Sequence, residues 1–348
     1  MVYSLSLAVF TVFGVFFQWL LRWFHSSQKK VHENTNNQDV TLRAPYPCNA
    51  IKGNQKFRIT MGLRKLDEWN WLTVDKNYLK EHDIRDSLLR NQRENVFQCL
   101  PESKAACAEV LEVVAQFLCE RYPSMFLMED HGAMKRIHNI KTGEKFVIGG
   151  ANSTTEPLEI AVRLAMEDLS VLMKNADGEY YLAASATLFP VGWSVQNRIG
   201  WTVSQIHAPV PEWHNKVGHS VNKFFCRLTP ESPMERSNYF LETTEPDEGL
   251  SNTLFRPDGL NEQKPGPSID EVLLRRERQT FRRLPRTGAL VFSVKTTLET
   301  LKDLPVDQLQ ALATEIRSWP DDMAKYKGRD VWGQRVLDYC IQRGIVPA

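Results

Sequence analysis

Apolar positions along the chain recur in two rhythms. Over Ala105–Arg121 (AACAEVLEVVAQFLCER), Val110, Val114, Phe117 and Leu118 repeat at helical spacing and predict a helix. Leu158, Val162, Met166 and Leu169 do the same over Glu156–Met173. Pro157 stands in the first turn of that segment, where a missing amide breaks no hydrogen bond. Further helices are expected over Trp213–Leu228, Asp270–Leu284, Val306–Ser318 and Asp330–Arg343. Runs rich in β-branched and aromatic residues predict strands at Tyr180–Pro190, Ile199–Ile206, Ser237–Thr244 and Gly288–Thr297. Asn252–Pro267, punctuated by Pro and Gly, reads as a loop. Helices come first and strands mixed with helices follow. This order predicts an α+β fold around an antiparallel sheet, not alternating βαβ units.

The N-terminus breaks with this pattern. Val2–Leu21 (VYSLSLAVFTVFGVFFQWLL) holds no charge, and Gln18 is its one strongly polar side chain. Such a run spans roughly 30 Å as a helix, about the thickness of the bilayer hydrocarbon. A cleaved signal peptide would want a basic start and a small-residue cleavage site. Here the start lacks Lys and Arg, and bulky Trp19, Trp23 and Phe24 fill the exit. Residues 1–23 are therefore read as a single transmembrane anchor, residues 24–47 as a polar tether and residues 48–348 as the folded body. Arg22, His25, Lys29 and Lys30 follow the span, so the positive-inside rule places the body in the cytosol.

Composition narrows the function classes. The chain has 348 residues, 43 Lys+Arg against 42 Asp+Glu, and a formal net charge of +1. That balance lacks the positive field of a dedicated nucleic-acid binder, so no nucleic-acid partner is expected. Six cysteines without a C-x-x-C pair exclude zinc ribbons and thioredoxin-type motifs, and reduced thiols are expected. No phosphate loop, G-x-G-x-x-G fingerprint or H-E-x-x-H is present. Gly218-His219-Ser220-Val221-Asn222 begins like a nucleophile elbow but ends in Asn, where the strained turn needs Gly. His131 and His138, seven apart, and His214 and His219, five apart, miss the spacing that brings two imidazoles to one metal on a helix.

Two stretches carry candidate chemistry. His207, in Ile206-His207-Ala208-Pro209-Val210-Pro211, ends an apolar run and precedes two prolines that fix φ and remove amide donors. A histidine held this way suits an axial metal or haem ligand. A hydrogen-bonded histidine at a strand end is the plain alternative. The second stretch, Leu274–Arg286, packs six arginines, and Arg275, Arg278, Arg282 and Arg286 would share one helical face. Guanidinium groups grip carboxylates bidentately, so that face suits haem propionates or an acidic partner, and equally a solvated basic surface.

Taken together, RRERQTFRRLPRTGALVFSVKT, IHAPVP and the lead-in LFPVGWSVQNRIG resemble the haem-dependent oxidative N-demethylase alpha-subunit-like family. Trp71-Leu72-Thr73-Val74-Asp75 and Glu167-Asp168-Leu169 fit it too, and the likeness spans about residues 45 to 343. The resemblance implies a PAS-like antiparallel sheet with helical additions, carrying non-covalent haem b. It implies O₂-dependent oxidation of a small methylated amine with release of formaldehyde, the electrons coming from a separate flavin-dependent reductase. His207 takes the axial-ligand role by its match to the family's IH-x-PVP motif. The arginine block, with Arg278, Arg282 and Arg283, is the expected cofactor-binding element, and Trp193, Trp201 and Tyr239 are the expected walls of an ammonium pocket. Asn238-Tyr239 departs from the family's Asn-Trp, and the anchor is an addition. A non-catalytic haem or PAS-type ligand sensor and a membrane-tethered interaction protein are the two rival readings.

Overall fold

A computed structural model describes residues 42–130, 132, 135–149, 155–258 and 266–345. The expected anchor lies outside the described residues, as does the tether up to residue 41. Among the described residues no helix is long and apolar enough to cross a membrane. The fold is mixed α+β and its strand pairs are antiparallel.

Among the described residues ten strands form two sheets. The large one runs in the order β1 (Arg64–Lys65), β8 (Met234–Thr243), β9 (Val272–Arg283), β10 (Leu290–Thr300), β6 (Asp168–Lys174), β7 (Tyr180–Ala186) and β2 (Phe97–Cys99). The small one joins β3 (Phe126–Asp130), β4 (Lys135–Asn139) and β5 (Lys145–Ile148). One face of the large sheet packs on helices α1 (Tyr78–Asn91), α2 (Lys104–Arg121) and α3 (Pro157–Leu164). Leu169, Val171, Ala184, Ala186 and Val291 point into this main core from the sheet. A second core lies under α5 (Val306–Ser318), α6 (Asp321–Tyr326) and α7 (Arg329–Gln342), against Leu241, Val272 and Leu274. The opposite sheet face meets residues 193–228, including α4 (Gly218–Arg227), through Leu172, Leu182, Phe281 and Leu290. The end of the expected tether is docked: Arg43 O accepts from Lys76 N at 2.9 Å, and the Arg278 guanidinium lies 4.4 Å from the Tyr46 ring centroid. All six cysteines are free thiols.

The helices α2, α5 and α7 and the strands β7, β8 and β10 stand where the apolar rhythm puts them. Three segments do not. The helix expected over Glu156–Met173 stops at Leu164, and 168–174 is strand β6. Its continuation is a hairpin, closed by a turn in which Asn175 O accepts from Gly178 N and Gly178 adopts φ 84°. The helix expected over Asp270–Leu284 is strand β9, flanked on both sides by partners in the middle of the sheet. The strand expected at Ile199–Ile206 is a turn followed by a single helical turn, Val203–Ile206. The errors share a root: i+3 and i+4 spacing or β-branching over a few residues does not fix the period; strand pairing decides it for β6 and β9, and a local helix cap decides it for Val203–Ile206.

Candidate functional site

The turn at His207 begins with a capping box. Thr202 Oγ1 accepts from Gln205 N, and Gln205 Oε1 accepts from Thr202 N at 2.8 Å. The sequence Thr202-Val203-Ser204-Gln205 is the S/T-x-x-E/Q signature of such a start, and it marks the helical turn that the strand reading passed over. His207 closes the turn. Its backbone N–H donates to Val203 O at 3.1 Å, and its ring Nδ1 lies 2.8 Å from the same oxygen. A carbonyl only accepts, so Nδ1 carries the proton and Nε2 keeps its lone pair. The ring is therefore oriented by Val203 O directly, and the prolines act one step removed.

The other face of the imidazole lies on Trp213, with centroids 4.1 Å apart and planes within 10°. Two backbone features bring the indole there. Glu212 adopts φ 63°, the one positive φ at a non-glycine among the described residues. Gly218 lies so close that a Cβ would meet Trp213 Nε1 at 3.2 Å. Burial pushes the His207 imidazolium down to about 4; the bond to Val203 O opposes this, and the charges of Arg236 and Arg198 add to it. At neutral pH the ring is uncharged and able to give Nε2 to a metal.

Around His207 the sheet is under-covered. In the cluster that this face forms with residues 193–228, half-exposed side chains outnumber buried ones, the reverse of the main core. Trp193, Ile199, Val203, Ile206, Val210, Phe224, Met234 and Phe292 all keep accessible surface. The central strands do the same. Arg236 is paired with Gln279, Asn238 with Glu277 and Phe292 with Phe281, so strand alternation puts all six on one face. All but Phe281 are half-exposed; Arg236 and Asn238 stand on β8 beyond its two-residue pairing with β1, while Glu277, Gln279 and Phe292 lie on strands paired on both sides. This half-exposed face beside His207, called the recess below, is a surface of apolar and polar groups that a ligand can cover.

Its polar groups are specific. Glu277 Oε2 accepts from Gln279 Nε2 at 2.8 Å and from Asn238 Nδ2 at 3.4 Å, while Oε1 has no donor among the described residues. Arg236 makes no hydrogen bond or ion pair among the described residues, and its Nε is buried without a partner. Burial lowers its pKa, and Glu277 opposes the shift. Tyr326 and Lys327 come in from the C-terminal helices. Both feel the Glu277 charge, and burial pushes Lys327 down to about 8. The Lys327 Nζ donates to Tyr239 O at 3.0 Å and sits 4.9 Å from the Tyr239 and Phe240 rings.

The arginine block is not a helical face. In β9 its members alternate between the two sides of the sheet, and each guanidinium has internal partners. Arg278 pairs with Glu235 at 2.7 Å and Arg282 with Glu68 at 2.9 Å, both on the face turned away from Arg236 and Phe281. Arg283 donates to Leu228 O, Phe225 O, Gly288 O and Tyr180 OH. Arg275 is fully buried against Glu242 at 3.0 Å. Arg278 also lines a small cavity of about 10 Å³ with Tyr46, Cys48 and Lys295, and an open groove of about 450 Å³ lies between α6 and α7. Neither cavity includes His207. Of the expected aromatic walls, Trp193 belongs to the cluster that holds Val203 and Ile206, with the Arg198 guanidinium 5.4 Å over its ring. Trp201 is 45% exposed, and Tyr239, on the face turned away from Arg236, donates its hydroxyl to Glu315.

Sequence reasoning missed Arg236, Glu277, Arg198 and Tyr326. Glu277 was hidden inside the arginine block, and its role appears only when the strand register sets it beside Asn238. Pro285 and Gly288 (φ 69°), ahead of an apolar β-branched run, mark a turn between two strands and were the available hairpin signal.

Comparison with known families returns the haem-dependent oxidative N-demethylase, alpha subunit-like family over residues 62–337. The chain belongs to that family. The match covers β1 through most of α7, so every element that builds the recess at His207 lies within it. The family is named for a subunit, which is consistent with a partner chain or reductase.

Proposed function

We propose that this member of the family is a haem-dependent, O₂-using oxidative N-demethylase. It would take a methylated amine and release formaldehyde, with electrons supplied by a separate flavin-dependent reductase. One observation carries the reading: a neutral imidazole, locked through Nδ1, stands beside an under-covered face of the sheet. The fold around it is read as PAS-like, a single antiparallel sheet with one face given to a ligand.

The residues present fit haem b held without covalent attachment. His207 Nε2 would be the protein's ligand to the iron, and Trp213 would hold the ring plane against rotation. Phe281 and Phe292, stacked at 5.0 Å, and Trp193 offer the apolar contacts. Arg198, which has a single hydrogen bond to Gly192 O at 3.3 Å, would meet a propionate. Among the described residues no three His, Cys, Asp or Glu side chains gather for a metal ion, so the iron would come with its own ligand frame. Bound haem would supply O₂ binding and the oxidation of the N-methyl group. The chain's own residues position and exclude: Glu277 attracts a cation, Gln279 and Asn238 fix its carboxylate, and the apolar rim keeps bulk water out.

An absorption spectrum of the haem-reconstituted protein tests this. A Soret band, lost or shifted in His207→Ala, together with formaldehyde release from an amine under a reductant, is the expected result. A protein that takes up no haem defeats the reading, and a Soret band without product from any amine moves it to a ligand sensor. We also propose that residues 1–23 anchor the body to a membrane on its cytosolic side. Resistance of the full chain to carbonate extraction checks that.

A further inference from the structure

We infer that the recess is built for a zwitterion, so that its ligand is an N-methylated amino acid: the methylammonium meets Glu277 and the carboxylate meets Arg236. This rests on the proposed demethylase reading for the chemistry, but not for the binding. Arg236 faces Gln279 across the β8–β9 pair, and Glu277 faces Asn238. The two charges are thus diagonal neighbours on one sheet face, with Cβ atoms roughly 7 Å apart. They attract each other, yet no ion pair forms between them.

Glu277 is instead turned by Gln279 and Asn238, which both take Oε2 and leave Oε1 open. Arg236 is left with a buried Nε that nothing satisfies. A half-buried guanidinium without an acceptor is costly, and a ligand carboxylate removes that cost. A plain amine would use Glu277 alone and leave Arg236 as it stands. It would also meet Arg236 and Arg198 beside Glu277, with Lys327 already offset by Glu315 as well as Glu277, a surround that gains nothing from a bare cation at Arg236. A ligand that carries both signs fits between the two residues.

Calorimetric titration of the full-length protein in detergent tests this with three probes: N,N-dimethylglycine, its methyl ester and dimethylamine. Dimethylglycine is expected to bind at least about tenfold tighter than either of the others. Arg236→Gln should bring dimethylglycine down to the level of its ester, Arg236→Lys should keep part of the preference, and Glu277→Gln should weaken all three. Circular dichroism of each variant checks the fold. Equal binding of the acid and its ester by the wild type would overturn the inference. So would a preference that survives in Arg236→Gln. Loss of haem affinity in Arg236→Gln with the preference intact would assign that guanidinium to a cofactor carboxylate, and also overturns it. Binding needs no turnover: a protein that shows the preference but takes up no haem would keep this inference and lose the demethylase reading.

Discussion

The imidazole of His207 lies face to face with the indole of Trp213, 4.1 Å between centroids, while Val203 O holds Nδ1 from the side. The two contacts leave one polar atom of the ring, Nε2, without a hydrogen bond among the described residues.

Trp213→Ala should loosen this arrangement. Deleting a buried indole costs about 3–5 kcal/mol. The His207 imidazole should also move from about 4 back toward its ordinary value, since the burial that depresses it is partly the indole's. Urea unfolding and an NMR titration of the His207 ring measure both.

Acid should weaken the fold through His207. The folded imidazolium is pushed down to about 4 from 6.5, so the unfolded chain binds the proton more readily between those values. Stability present above pH 6.5 is lost as pH falls toward 4, by roughly 2–3 kcal/mol from this group. The slope of unfolding free energy against pH in that window should shrink in His207→Gln. An unchanged slope would count against the depressed value.

Arg275 and Glu242 form a buried pair at 3.0 Å, and the guanidinium also donates to Thr253 O and Leu254 O. Arg275→Met alone should cost about 3–5 kcal/mol, because Glu242 is left buried and unpaired. Arg275→Met with Glu242→Leu should recover at least half of that. Chemical denaturation of the single and double variants gives the coupling.

Glu212 holds a left-handed φ of 63° immediately before Trp213. Glycine takes that conformation without strain, so Glu212→Gly should stabilise by up to about 1 kcal/mol less whatever its exposed bridge to Lys216 contributes. Glu212→Val should destabilise and disturb the stack, read as a change in near-ultraviolet circular dichroism. A stable Val variant with an unchanged stack would show that the turn is not under constraint.

Parts of this site are legible one residue at a time. His207 draws notice by its neighbours Pro209 and Pro211, and Thr202-Val203-Ser204-Gln205 spells its helical turn. Trp213 does not announce itself, because its meaning is a ring contact six residues back. Arg236 and Glu277 are 41 positions apart and share a recess through strand register alone. In the same way the partners of the arginines, among them Glu235, Glu242 and Glu68, lie far from β9 in the chain.

The sequence by itself determined the α+β class, the long amphipathic helices α2, α5 and α7, and the family, because solvated stripes and contiguous motifs are local properties. Tertiary structure alone decided that Leu274–Arg283 is a strand, which side each arginine takes, and that Arg236 and Glu277 face one recess beside His207. The pleat sends neighbouring residues to opposite faces, and pairing with distant strands sets what they meet, so those facts are not written in any short stretch of chain.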